Sequence, residues 1–345
     1  QIDVDKCLSC NLCDKVCPII QRDAHSLTYL PEQVLAAHNK DMDIWFKSSS
    51  GGVFAALTEY CINKNGIVYG AAYNEKLTVV HCGEDTLEGT VRFRGSKYAQ
   101  SDMTGVYREV REWLINGRLV LFSGTPCQVD GLHLFLRKSY VNLITVDILC
   151  HGVPSPMIFS DYVDFINRNS IGKLTDINMK DKTFGWGCQN LRLFFDNGAS
   201  QFNTIISTLW NKLFYEHQIL RPSCYNCRFT NLHRPGDITI GDFFFFEKTL
   251  PNFHSINGIS LVLCNNKKGC AIWDEVKNEF EYRESNIKDC LQPALCKNID
   301  EPVQRAKFWH NYLNCGFDYI LKKNQISRFK LKENMLRSYL KMLIK

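Results

Sequence analysis

Leu119-Val120-Leu121-Phe122-Ser123-Gly124-Thr125-Pro126-Cys127-Gln128 reads as a strand, a tight turn and the start of a helix. Its apolar run does not alternate with polar residues, the pattern of a strand covered on both faces. Gly-Thr-Pro breaks the run, proline suits a first helical turn, and a helix is expected over residues 128–137. A second apolar strand is expected at 143–149, ending on Cys150-His151-Gly152. Strand, turn, helix and strand in that order call for a sheet with helices packed on it, at least partly parallel.

Working outward, strands are expected at 67–73 and 78–82, and a charged helix at 105–115. Ser48-Ser49-Ser50-Gly51-Gly52 opens a helix over 53–62, with serine as its N-cap. Residues from about 30 to Lys47 read as a linker. The stretch 171–205 is less regular, with a hairpin through 191–195 turning at Asp196-Asn197-Gly198. Short strands are expected at 238–240 and 260–263. The fold expected is α+β or α/β. A small cysteine-rich module (1–30) precedes a larger mixed α/β domain (45–285), and a helical C-terminal extension (286–345) follows.

The chain has 345 residues, 45% of them apolar and 22% charged, values of an ordinary globular protein. No apolar run reaches the roughly 18 residues that a membrane span requires. From Lys322 to Lys345 eight basic residues stand against Glu333 alone, a local +7 within a total of +5, so the rest carries −2. A slightly acidic body argues against nucleic acid as a partner. In the basic stretch Phe329, Leu336, Leu340 and Leu343 recur at helical spacing. That gives a terminal amphipathic helix, either packed on the body or docked on an acidic partner or anionic membrane surface.

The 16 cysteines are the unusual feature. Cys7-x2-Cys10-x2-Cys13-x3-Cys17-Pro18 has the spacing of a bacterial [4Fe–4S] ferredoxin run. Two intervening residues let thiolates on one tight loop face the corners of a single cubane, and soft sulfur suits iron. In two-cluster ferredoxins the fourth cysteine of such a run serves the other cluster. Either Cys17 closes a one-cluster site, or a companion run precedes Gln1, the reading that the non-Met start favours. Cys224-x2-Cys227 is the other CxxC, and its candidate partners are Cys127 and Cys150, each just past the end of an expected strand. That edge of an open α/β sheet is where ligands collect. A second cluster, a zinc site, a redox pair and ordinary buried thiols all fit the spacing. Cys61, Cys82, Cys188, Cys264, Cys270, Cys290, Cys296 and Cys315 stand alone and read mostly as small buried hydrophobes. So many reduced thiols suit a reducing, cytoplasmic compartment.

Six motifs in order carry a resemblance: Ser48-Ser-Ser-Gly-Gly-Val-Phe54, Arg94-Gly-Ser-Lys-Tyr-Ala-Gln-Ser101, Phe122-Ser-Gly-Thr-Pro-Cys-Gln128, Asp147-Ile-Leu-Cys-His-Gly-Val-Pro-Ser155, Arg221-Pro-Ser-Cys-Tyr-Asn-Cys227 and Asp237-Ile-Thr-Ile-Gly-Asp-Phe243. Together they resemble the coenzyme F420 hydrogenase/dehydrogenase beta-subunit family. The resemblance implies an α/β flavoprotein carrying FAD and [4Fe–4S] clusters, with the second cluster on Cys127, Cys150, Cys224 and Cys227. It implies flavin contacts from Ser50, Gly51, Gly52, Arg94, Gly95, Ser96, Lys97, Gln100, Ser123, Gly124 and Thr125. Gly51-Gly52 would offer backbone amides to a phosphate, and Arg94 and Lys97 would meet a pyrophosphate or a reduced flavin. Lys97 and His151 are the catalytic candidates, His151 as a proton donor or merely a polar residue on a ligand loop. Asp237 and Asp242 read as structural support. Phe243 to Phe246 departs from the family, whose members tend to show a tryptophan near the second of these positions.

The function expected is an FAD-dependent iron–sulfur oxidoreductase. It would take electrons from, or give them to, a partner protein, and act on coenzyme F420 or another small organic molecule. The rival is a non-catalytic relay subunit docked on a partner enzyme, and a zinc-stabilised binding protein stands behind both.

Overall fold

The computed structural model describes residues 4–17, 20, 30–187, 190–253, 255 and 257–324. The expected basic helix lies outside them from residue 325 on, as does Cys188.

Eight strands form one sheet: β1 (Gln33–Asn39), β2 (Ile67–Tyr73), β3 (Val79–Glu84), β4 (Val120–Gly124), β5 (Leu143–Ile148), β9 (Ile238–Asp242), β10 (Ser260–Cys264) and β11 (Phe280–Glu284). Their order is β11-β1-β10-β9-β5-β4-β2-β3. The central four, β9, β5, β4 and β2, run parallel. At one edge β3 is antiparallel to β2, and at the other β10, β1 and β11 alternate in direction. Helices cover both faces. The Val53–Asn63 and Lys267–Val276 helices bury Leu57 and Trp273 on one side, and the Val106–Ile115 and Pro126–Leu136 helices bury Val110 and Leu132 on the other. This double cover is why β4 is buried along its whole length.

A smaller antiparallel sheet, β6 (Leu174–Asp181), β7 (Asn190–Phe195) and β8 (Ser200–Phe202), packs with the Pro156–Asn169, Ile205–Tyr215 and Arg305–Asn324 helices. The β7–β8 turn falls at Asp196-Asn197-Gly198 as expected, with Gly198 at φ 78°.

Two expectations need correction. The stretch read as a linker contains β1, whose residues from Val34 to Asn39 are buried in the sheet. Ala36, Ala37 and Asn39 are poor strand formers, and with both faces covered the segment shows no alternation. No serine caps the Val53–Asn63 helix: its N-cap is Gly52, at φ 88°. The serines hold other elements instead. Ser48 Oγ donates to the Ile44 carbonyl (2.7 Å), Ser49 Oγ pairs with Ser96 Oγ (3.0 Å), and Ser50 Oγ donates to the Ile259 carbonyl (2.8 Å).

Gly51 lies where this loop touches the sheet. Its N–H donates to Ser260 Oγ at 2.8 Å and its carbonyl accepts from Asn39 N at 2.7 Å. A Cβ there would lie 2.1 Å from the Ala37 carbonyl oxygen, which is strand backbone and cannot yield. Gly51→Ala is expected to cost about 3 kcal/mol, read as a lower denaturant midpoint. Ser50→Ala, which loses one hydrogen bond, should cost about 1 kcal/mol.

Candidate functional site

The carboxyl ends of β4, β5 and β9 share one edge of the sheet, the edge at which an open α/β sheet collects ligands. At the end of β4, Thr125 caps the Pro126–Leu136 helix and Cys127 lies in its first turn. The end of β5 leads to Cys150, and a single helical turn, Pro222–Cys224, presents Cys224 with Cys227 just beyond. Backbone pairing brings the last two loops together. Arg221 N donates to the Val153 carbonyl and Ser155 N to the Ile219 carbonyl, both at 3.0 Å, and Pro154 bridges Leu220. Gly152, at φ 99°, permits the approach: a Cβ there would stand 2.8 Å from Leu220 Cδ1 and 3.5 Å from Cys224 Cβ.

A buried ion pair fixes both loops at their roots. Asp147 and Arg234 are each almost wholly buried and bond to each other. Arg234 Nε reaches Asp147 Oδ1 at 3.0 Å, and its other nitrogens donate to the Phe229 carbonyl (2.6 Å) and the Ile148 carbonyl (3.2 Å). Asp147 Oδ2 accepts from Gly236 N (2.9 Å) and Thr239 Oγ1 (3.0 Å). The carboxylate precedes Cys150 by three residues and the guanidinium follows Cys227 by seven.

The thiols of Cys127, Cys150, Cys224 and Cys227 come close enough to act on one another. Burial raises Cys127, the Thr125 hydroxyl and Arg221 oppose it, and Cys227 adds to it. Cys150 is pushed up by burial and then by Cys127, with Cys224 and Cys227 contributing. Burial raises Cys224, an N–H from Val153 opposes it, and Cys127 and Cys227 add to it. Among the described residues no three His, Cys, Asp or Glu side chains stand close enough to share one metal ion.

Cys7 and Cys10 are exposed on a loop in which Ser9 (φ 50°) and Asn11 (φ 56°) are left-handed, Cys13 is exposed in the helix after it, and Ser9 N donates to Cys7 Sγ at 3.4 Å. Left-handed residues turn backbone N–H groups toward one concavity, a device of anion and iron–sulfur sites. The Leu12–Val16 helix follows, with Cys17 half-buried at its end. This helix packs on the Pro126–Leu136 helix, which carries Cys127.

The loops expected to meet a flavin gather at the same edge. Ser96 N donates to Ser49 Oγ (2.8 Å) and Gln100 N to the Pro154 carbonyl (3.1 Å). Arg94 is half-buried and makes no side-chain hydrogen bond or ion pair among the described residues, and the space above Gly95 is open. Two expectations change. The Gly51 amide is committed to Ser260, which leaves Gly52 and the helix start behind it. Lys97 Nζ donates to the carbonyls of Arg92 (2.7 Å) and Arg94 (2.8 Å), so it braces its own loop, and burial lowers its pKa to about 7.

His151 Nε2 faces His217 Nε2 at 2.7 Å; burial and then His217 lower His151 to about 4, so the pair shares one proton between neutral rings. Asp237 accepts from Thr145 N (2.9 Å) and Oγ1 (3.0 Å), which is structural support. Asp242 pairs with Lys180 and accepts from Trp186 Nε1 at 3.1 Å. Phe243 and Phe246 are core residues, whereas Phe244 and Phe245 are exposed.

Several residues of this edge gave no sequence signal. Lys182 is buried under the serine loop and donates to the Trp45 (2.9 Å) and Ser50 (2.7 Å) carbonyls. Lys180 and Trp186 stand in the irregular stretch, and His81 and Arg234 belong to no motif. Of the cysteines read as lone, Cys61, Cys264 and Cys290 are buried, but Cys296 and Cys315 are exposed and Cys270 packs against Cys264. Two surface hollows, of about 530 and 860 Å³, lie elsewhere, one against Asp161 and Cys315 and the other against Gln33 and Glu284.

Removing one partner of the buried pair leaves the other charge stranded. Arg234→Met is expected to destabilise the fold by about 3–5 kcal/mol, measured by chemical denaturation. The exposed Arg168–Asp318 pair (3.2 Å), broken by Arg168→Met, should change stability by less than about 1 kcal/mol.

A family model for the C terminus of the coenzyme F420 hydrogenase/dehydrogenase beta subunit matches residues 117–289. No curated protein matches the chain. Among solved structures, one of the F420-reducing [NiFe] hydrogenase complex from Methanosarcina barkeri aligns over 90% of this chain and 92% of that one, with 17% identity and a TM-score of 0.51. At that identity the likeness is one of fold.

Proposed function

Because the chain belongs to the coenzyme F420 hydrogenase/dehydrogenase beta-subunit family, we propose that it is an iron–sulfur flavoprotein oxidoreductase. It would pass electrons between [4Fe–4S] clusters and FAD, and so reduce or oxidise coenzyme F420 or another organic molecule. The observation that carries this reading is the convergence of Cys127, Cys150, Cys224 and Cys227 from three separate loops at the ligand-collecting edge.

The donor set fits a cluster. All four are soft sulfurs. Zinc takes the same soft sulfurs through bonds of about 2.3 Å, so metal analysis of the purified protein, iron against zinc, decides between them. Backbone N–H groups already point at sulfur, as from Gly152 to Cys150 Sγ at 3.4 Å, and Arg221 adds positive charge beside Cys127 and Cys224. Cys7, Cys10 and Cys13, with Cys17, would hold the other cluster. Arg94, the amide of Gly52 and Ser96 fit a flavin pyrophosphate, with Ser50, Gln100, Ser123, Gly124 and Thr125 lining the same edge.

When bound, the clusters supply single electrons and the flavin a store of two that can leave as hydride. The chain's own residues set the geometry for that exchange. Packing of the Leu12–Val16 helix on the Pro126–Leu136 helix brings the exposed cysteine segment up to the helix that carries Cys127. His151 and His217 hold a proton one residue from Cys150. Lys97, with a pKa of about 7, can carry or release a proton on its loop near neutral pH.

The exposure of Cys7, Cys10 and Cys13 also suits a relay that docks on a partner enzyme. Protein purified without oxygen is expected to contain iron, acid-labile sulfide and flavin, with cluster absorbance and an EPR signal on reduction. Turnover of an organic acceptor by the isolated chain with a chemical reductant supports the enzyme, and cofactors present without turnover support the relay. A preparation with no iron and no flavin defeats both.

A further inference from the structure

His81 lies on β3, buried, and no motif includes it. Its Nε2 is 2.9 Å from the Ser123 carbonyl oxygen and its Nδ1 is 2.8 Å from Ser101 Oγ. A carbonyl only accepts, so Nε2 carries the hydrogen. Burial keeps the ring neutral near pH 7, with a pKa of about 4, which leaves Nδ1 as an acceptor. Ser101 therefore donates its hydroxyl hydrogen to His81.

The directions that follow are then fixed. With its hydrogen spent on His81, Ser101 Oγ accepts from Gln128 Nε2 at 2.9 Å. That orients the amide, so Gln128 Oε1 faces Thr125 and accepts its N–H at 2.9 Å. The Thr125 hydroxyl has two neighbours at 3.1 Å, Gln128 Oε1 and Cys127 Sγ. Gln128 Oε1, so oriented, can only accept, so the Thr125 hydroxyl must donate, either to that oxygen or to sulfur, and a metal-bound Cys127 is a thiolate. A hydrogen bond to a charged acceptor is the stronger choice.

We propose that His81 is a positioning residue: through Ser101 and Gln128 it holds the Thr125 hydroxyl as a hydrogen-bond donor to the sulfur of Cys127. The inference rests on the reading of Cys127 as a cluster ligand. Hydrogen bonds to ligand sulfur are one of the protein's levers on cluster potential, because they stabilise the extra negative charge of the reduced state. The chain also ties the loop bearing Arg94 and Lys97 to that sulfur, since Ser101 ends the loop and Asp102 pairs with β3 through His81 N (2.9 Å).

Potentiometric titration of anoxically purified protein, followed by EPR, tests this, with the relevant signal assigned by its loss in Cys224→Ala. Thr125→Val is expected to lower the potential, changing the oxidised-to-reduced ratio at fixed solution potential by about tenfold, or about 59 mV for one electron. Thr125→Ser should restore it. Ser101→Ala and His81→Gln should lower it in the same direction, by less. Should either buried variant fail to fold, the 15N spectrum of labelled wild-type histidine still reads the chain: His81 must show hydrogen on Nε2 and a bare Nδ1. An unmoved potential in Thr125→Val, an unmoved potential in Ser101→Ala beside a shifted Thr125→Val, or hydrogen on Nδ1 overturns the inference alone. A wild type with no cluster signal dependent on Cys224 defeats the functional reading beneath it.

Discussion

The Asp147–Arg234 pair is the constraint on which the candidate centre depends. An aspartate at the end of an apolar parallel strand has no water to solvate it, so it must be met by charge and hydrogen bonds from the protein. Arg234 meets it, and in doing so draws the segment after Cys227 against the end of β5. Two loops separated by some seventy residues of intervening chain are pinned together at their bases. The backbone pairs between residues 153–155 and 219–221 then close the gap nearer the thiols. Placing the constraint below the cysteines leaves their sulfurs free for another bonding partner.

The rest of the edge is built by the same division of labour. Strand backbone sets where each loop leaves the sheet, and side chains cross-link the loops. Ser49 joins the serine loop to Ser96, Lys182 holds the same loop from below, and Gln100 reaches Pro154. The Arg305–Asn324 helix buttresses the outside: Arg305 Nε donates to the Tyr225 hydroxyl at 3.0 Å, and Trp309 Nε1 to the Gln218 carbonyl at 3.0 Å. Against this frame stand the thiol set and the half-buried guanidinium of Arg94, which has no side-chain hydrogen bond or ion pair among the described residues.

The sequence revealed most where one physical effect dominated. β4 and β5 were legible because strands covered on both faces are continuously apolar, and the approach of Cys127 to Cys150 because strand ends in a parallel sheet lie side by side. β1 was illegible because alanine, histidine and asparagine carry no strand preference, and its place is set by pairing with β10 and β11. β6, with its polar residues and two irregularities in register, is likewise held by β7. The contacts of Arg234 with Asp147, of Lys182 with Trp45 and of His81 with Ser101 and Ser123 span 20 to 137 positions, which no local spacing encodes. One signal did exist: an aspartate inside Leu143-Ile-Thr-Val-Asp-Ile148 demands a buried cationic partner, and Arg234 was a candidate to search for.

Cys127, Cys150, Cys224 and Cys227 are proposed to close around one iron–sulfur cluster. Crystals grown without oxygen and measured on both sides of the iron absorption edge test it directly. The expected result is a compact anomalous peak of several irons bounded by those four sulfurs, and a second beside Cys7, Cys10 and Cys13. A single-ion peak at the zinc edge, or four sulfurs with no iron between them, would contradict it.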